Sequence, residues 1–113
     1  MPIIYTAQYH YSGPDRLDIT VKGGDPIGRV FAPTWDMVNG IKKGTLSEAE
    51  YEKMYWAMMA ESRNHHPGTW QQVWEMSEVT FVCFCPKNAF CHRNVLKDIF
   101  VAMGCQYGGE RTL

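Results

Sequence analysis

Charge of one sign is missing from this sequence. Its 11 lysines and arginines nearly balance 12 aspartates and glutamates, for a net charge of −1. Such a chain has no broad positive field, so an extended nucleic-acid surface is not expected and any basic site is a local pocket. Long hydrophobic runs are missing too. Nothing approaches the about 18 consecutive apolar residues of a membrane span. The opening MPIIYTAQYHY lacks the basic head and apolar stretch of a secretory leader. No membrane partner and a cytoplasmic location are therefore expected. Cysteine is scarce and confined, with all four residues between Cys83 and Cys105. A secreted disulfide scaffold spreads its cysteines along the chain, so these read as reduced thiols. No internal repeat, low-complexity tract or linker interrupts the chain.

What is present suffices for one real core. The chain has 113 residues, 45% of them hydrophobic and 13% aromatic, which argues against disorder and for a single domain over residues 1–113. The most informative stretch is residues 79–105, VTFVCFCPKNAFCHRNVLKDIFVAMGC. Residues 79–84 are apolar but for Thr80 and rich in β-branched and aromatic types, the pattern of a strand buried on both faces. Pro86 stops it. From Val95 the apolar residues Leu96, Ile99, Phe100 and Met103 recur at helical spacing, and Gly104 ends the helix. The unit is strand, loop, helix. In open α/β sheets, ligands bind at the carboxyl ends of strands, and the free N–H groups of a helix amino end favour anions.

The rest of the chain supplies the partners of that unit. Residues 3–9, IIYTAQY, read as a first strand. Ser12, Gly13, Pro14 and Asp15 signal a turn. In LDITV, residues 17–21, Leu17, Ile19 and Val21 alternate with Asp18 and Thr20, as in a half-buried second strand. Residues 22–33 hold three glycines and two prolines and read as a long loop, a length at which loops are often functional. Thr34 caps a short helix that Gly44 ends. Ser47 with Glu50 forms a capping box for the clearest helix, striped by Tyr51, Met54, Tyr55, Met58 and Met59. Thr69 and Gln72 suggest a second capping box, for a helix carrying Trp70, Val73 and Trp74. Residues 106–113 read as a short edge strand or a cover over the sheet. The expected fold is a small three-layer α/β domain, with a three- or four-stranded, mostly parallel sheet and helices on both faces.

Three chemistries are open to the loop. As an anion site, it offers Lys87, His92 and Arg93 to hold a phosphate or carboxylate, with Asn88 beside them. Asp18 and Thr20 reach the same crevice if the second strand neighbours the central one, and Trp35, in FAPTW, is placed to stack on a flat ring. The plainer reading pairs Arg93 with a surface carboxylate and has Asp18 cap a turn. As a metal site, Cys83, Cys85, Cys91 and His92 form C-x-C-x5-C-H, whose ligand types suit zinc and whose spacing differs from a C-x2-C knuckle. As a thiol catalyst, Cys91 stands at a helix amino end, where thiol pKa values fall. A phosphatase-type loop, with cysteine and arginine six positions apart, is absent. His65 and His66, side by side in a turn, read as solvated.

At VCFCPKNAFCHR, and in the pairing of YTAQY with LDIT, the chain resembles the family catalogued as domain of unknown function 488. FAPTWDMV, KKGTLSEAEY and YGGER are similar to its short phage and bacterial branch, with Thr20 standing where many relatives carry an arginine. The resemblance implies a compact α/β fold with a pocket near Cys91, His92, Arg93 and Asp18. It also extends the expected location to the cytoplasm of a bacterial host, if the chain is phage-encoded.

The leading expectation is a domain that binds an anionic small molecule, such as a nucleotide or nucleotide-sugar. It would act either as an enzyme with Cys91, His92 and Asp18 in the chemistry or as a sequestering binder. Arg93, Lys87, Thr20, Asn88 and Trp35 are the candidate ligand-binding residues. No cofactor is expected; the alternative is a zinc-stabilised interaction module built on Cys83, Cys85, Cys91 and His92. A third class is a partner-binding protein, a homodimer included, that uses exposed aromatics.

Overall fold

A computed structural model describes residues 1–84 and 90–112. In chain order the elements are β1 (Ile3–Gln8), β2 (Arg16–Asp18), a 3-10 turn (Gly28–Phe31), α1 (Trp35–Lys43), α2 (Glu48–His65), α3 (Pro67–Trp74), β3 (Glu78–Cys83), α4 (His92–Ala102) and β4 (Gln106–Glu110). The four strands form one sheet in the order β2-β3-β1-β4, and every pairing is parallel. No described helix is long and apolar enough to cross a membrane.

Parallel strands need connections long enough to return the chain to the starting edge, and right-handed crossovers decide which face each connection covers. The steps from β2 to β3 and from β3 to β4 run the same way across the sheet. Their helices therefore share a face. Ile4, Leu17, Val79 and Phe81 lie on that face by register, and they form one cluster with Met37, Tyr55, Trp70 and Phe100, one from each helix. The opposite face presents Tyr5, Ala7, Thr80 and Val82. Ala7 and Val82 are fully buried but stand outside that cluster. Here lies the β1–β2 connection, where Asp15 accepts from the Thr80 hydroxyl at 2.6 Å. That connection, residues 9–15, is too short for a helix. The α/β class and the parallel sheet are as expected, but the described helices occupy one face where two were expected.

Local signals explain most element ends. Thr34 accepts from Met37 N, and Gly44 closes α1 at φ 77°. Ser47 and Glu50 form the reciprocal capping box of α2. Of the α2 stripe, Tyr51, Tyr55 and Met59 are buried and Met54 is exposed. The second capping box does not form. Pro67 takes the first turn of α3, starting the helix before Thr69, because proline's fixed φ suits N1 and its missing N–H loses nothing there. β2 is shorter than LDITV, since the Asp18 side chain turns back to accept from Thr20 N at 2.9 Å. The tail does add an edge strand, β4, paired with β1. Its glycines are needed: a Cβ on Gly108 would fall 2.4 Å from the Tyr5 ring, and Gly109 holds φ 115°.

Candidate functional site

The buried strand β3 ends at Cys83, and α4 begins beside it with Cys91 at the N-cap. Ile19 follows β2 and still donates its N–H to the Val82 carbonyl at 3.3 Å. The ends of β2, β3 and α4 thus meet at the carboxyl edge of the sheet. A cavity of about 610 Å³ opens there. Its floor is Thr20, Cys83, Cys91 and His92. Its walls include the rings of Trp35, Tyr51, Phe84 and Phe90, and two cations, Lys22 and Lys42, stand among the lining side chains.

His92 is held tightly. One ring nitrogen, Nε2, lies 2.7 Å from the carbonyl of Ile19, and the other, Nδ1, lies 3.7 Å from the Cys91 sulfur. A carbonyl only accepts, so Nε2 carries the proton and Nδ1 presents its lone pair to the Cys91 sulfur. Burial pushes the imidazole down to about 4. The Ile19 hydrogen bond and the Asp18 charge oppose that shift, and the nearby Arg93 charge adds to it. His92 is therefore neutral near pH 7 and brings no positive charge to the cavity. The Tyr55 ring packs edge-on against it at 5.9 Å, and the Tyr55 hydroxyl donates to the Phe31 carbonyl.

Arg93 is fully buried. Its Nη1 donates to the Cys83 sulfur at 3.0 Å, and its Nη2 lies 3.8 Å from the Glu110 carboxylate. It stands behind the cavity floor, not among the lining residues. Cys83 and Cys91 meet sulfur to sulfur as a bonded pair, across a Cα–Cα distance of 7.7 Å. This differs from the expectation of separate reduced thiols, because α4 starts directly against the end of β3. Cys105 is the free cysteine among the described residues; it is buried, and burial pushes its thiol up.

Asp18 is buried but does not line the cavity. Its Oδ1 accepts from both the N–H and the hydroxyl of Thr20, at 2.9 and 2.6 Å, and its Oδ2 takes a long 3.4 Å contact from the Tyr9 hydroxyl. It positions Thr20, which does line the cavity. Trp35 lines it too and is half exposed. Lys87, Asn88 and Cys85 lie outside the described residues. The structure thus brings Cys91, His92, Thr20 and Trp35 to one cavity, and sets Asp18 and Arg93 behind it. Sequence reading missed Lys22, Lys42, Phe84 and Phe90. The only signal for Lys22 was its place at the start of the long loop, and for Lys42 the polar side of a short helix.

A larger groove of about 720 Å³ runs along α2 and α3, lined by Arg63, Trp70 and Trp74 among others. It holds no thiol, and Arg63 and Trp70 are already engaged. Trp70 donates to Ser62 at 3.0 Å, and Arg63 lies over the Trp70 ring at 5.7 Å. The smaller cavity has the chemistry and the strand-end position.

No curated protein and no solved structure matches the chain. A family model does match, over residues 12–104, which run from the β1–β2 connection to just past α4. It is that of the active DUF488-N3 subclade, DUF488-N3a, and the chain belongs to the DUF488 family.

Proposed function

We propose that the chain binds, and acts as an enzyme on, an anionic small molecule that carries a flat ring, with nucleotides and nucleotide-sugars as the class that fits. The observation that carries this is the composition of the strand-end cavity: aromatic walls, two lysines at the lining, and Cys91 beside the His92 imidazole on the floor, a thiol once its bond to Cys83 is reduced. A ring between Trp35 and the phenylalanines would gain stacking, which tolerates different bases. A phosphate would meet Lys22, Lys42 and the first N–H groups of α4, whose N-cap gives no side-chain hydrogen bond and whose first turn has no acidic residue. Arg93 acts on this site indirectly, by fixing Cys83. The description of the subclade as active supports an enzyme over a sequestering binder, and so does a neutral imidazole with a free lone pair beside Cys91. Asp18 serves as a positioning residue through Thr20.

The zinc-stabilised interaction module is the weaker reading. Structural zinc sites are closed by four protein ligands, whereas Cys83, Cys91 and His92 all open onto the cavity.

The test is a thermal-shift and turnover panel of nucleoside mono-, di- and triphosphates and nucleotide-sugars, run on the native chain and on Lys22→Ala/Lys42→Ala. The reading expects at least one member to raise the melting temperature, a weaker shift in the double variant, and a product by mass spectrometry that Cys91→Ser does not form. A panel with no shift at all contradicts it. Binding without turnover, unaffected by Cys91→Ser, leaves a binder and removes the enzyme.

A further inference from the structure

We propose that Cys83, Cys91 and His92 form a site for one zinc-class divalent cation, with the fourth coordination position opening into the strand-end cavity. One ligand atom from each residue lies within 4.8 Å of the other two, and all three residues are buried. They come from fixed points of the fold: the last residue of β3, the N-cap of α4 and its first helical residue. Two thiolates and an imidazole select a borderline-soft, tetrahedral ion over magnesium or calcium, which take oxygen ligands.

The surroundings of these residues are those of a ligand set. The Ile19 carbonyl takes the Nε2–H of His92 at 2.7 Å, which fixes the ring and leaves Nδ1 free on the cysteine side. Metal-binding histidines are oriented in this way, by a carbonyl or carboxylate on the other nitrogen. The Arg93 guanidinium donates to the Cys83 sulfur at 3.0 Å and places positive charge beside a would-be thiolate.

The spacing of the cysteines points the same way. Their Cα atoms are 7.7 Å apart, beyond the roughly 4.4–6.8 Å of ordinary disulfides. Two thiolates on one zinc, each at about 2.3 Å, hold their sulfurs roughly 3.8 Å apart, and side-chain rotation within a 7.7 Å span allows that separation. The Cys83–Cys91 bond is first opened by a thiol reductant, which supplies two electrons and two protons and leaves as its own disulfide. Binding then forms two metal–sulfur bonds and one metal–nitrogen bond and releases the two thiol protons to solvent. Because all three ligands line the cavity, the remaining position faces it. That is the pattern of catalytic rather than structural zinc. The metal site stands on its own geometry; only the role of its open position rests on the small-molecule reading above.

The test uses the full chain, kept reduced, stripped with a chelator and titrated with cobalt(II) alone, no nucleotide present. The expected result is the intense visible absorption of tetrahedral thiolate-bound cobalt, saturating at one equivalent and displaced by one equivalent of zinc. Azide is expected to shift the band by entering the fourth position. Alkylation of the native chain, read peptide by peptide, needs no variant to fold: zinc is expected to protect Cys83 and Cys91 together and to leave Cys105 unchanged. Cys105→Ser keeps the band and His92→Gln loses it or weakens cobalt binding more than tenfold. Absence of the band, or zinc that protects neither Cys83 nor Cys91, overturns the site. A band that azide leaves unchanged overturns its open position. A nucleotide panel that fails while cobalt binds tells against the small-molecule reading and not against the metal.

Discussion

His92 donates its Nε2–H to the Ile19 carbonyl at 2.7 Å, and this one bond ties the first turn of α4 to the end of β2 across 73 residues of sequence. Both groups are buried. Without the imidazole, the Ile19 carbonyl is left without that donor, at a cost of about 1–3 kcal/mol. His92→Phe keeps the ring volume and loses the donor, so a loss in that range is expected in urea denaturation of the metal-free chain. A neutral result would mean that Ile19 is satisfied by another donor.

Arg93 gives a sharper prediction. Its side chain is fully buried between Cys83 and Glu110, and the Glu110 carboxylate is further fixed by the Thr6 hydroxyl at 2.7 Å. Removing one partner of a buried ion pair typically costs about 3–5 kcal/mol, because the other charge is stranded. Glu110 is partly exposed, so the lower end is expected for Arg93→Met. Lysine, a single flexible donor point, is expected not to restore the contact to both partners. Equilibrium unfolding of the two variants checks this.

Acid sensitivity is expected from the other end of the sheet. Burial would raise the Asp15 carboxyl. The Thr80, Tyr11 and Arg111 hydrogen bonds together outweigh it and hold the carboxyl below its ordinary value of 3.8. A group whose folded pKa is depressed contributes stability that is complete above the unfolded value and is lost as pH falls through the folded one. Asp15 therefore contributes fully above about pH 4 and loses its contribution below the ordinary carboxylate range. Asp15→Asn is expected to be less stable at neutral pH and to have a flatter acid limb in a stability–pH profile. Parallel acid limbs would contradict the assignment.

Trp35 separates binding from folding. It is half exposed at the start of α1 and lines the cavity, so Trp35→Ala should change stability by no more than about 0.5 kcal/mol. Loss of one stacking partner costs about 1–3 kcal/mol of binding, roughly a 5- to 150-fold weaker affinity. Calorimetric titration of both forms with the best nucleotide of the panel measures the two effects separately. Equal affinities would remove Trp35 from the site.

The sequence was legible where physics is local. Thr34 with Gly44, and Ser47 with Glu50, act within one helical turn, and both pairs form. Thr69 and Gln72 have the same spacing, yet Pro67 starts the helix earlier, since a fixed φ outcompetes a side-chain cap. The burial of β3 was legible in a run from Val79 that only Thr80 interrupts. Arg93 was not. A cation beside a ligand loop reads as facing outward, and only the fold brings Cys83 and Glu110 to either side of it. Asp18 read equally well as a site residue or a turn cap; its bonds to Thr20 make it the cap of the site's own wall. Lys22 lies in the connection after β2 and Lys42 on α1, and only the fold brings both to the cavity lining. No spacing rule predicts that.

Amide chemical-shift mapping by NMR, with the best nucleotide of the panel added to the native chain, decides whether the strand-end cavity is where the ligand binds. The perturbed amides are expected to cluster at Thr20, Val21, Phe90, Cys91 and His92, all at the strand-end cavity. Perturbations gathered instead at Arg63, Trp70 and Trp74 would move the site to the larger groove along α2 and α3.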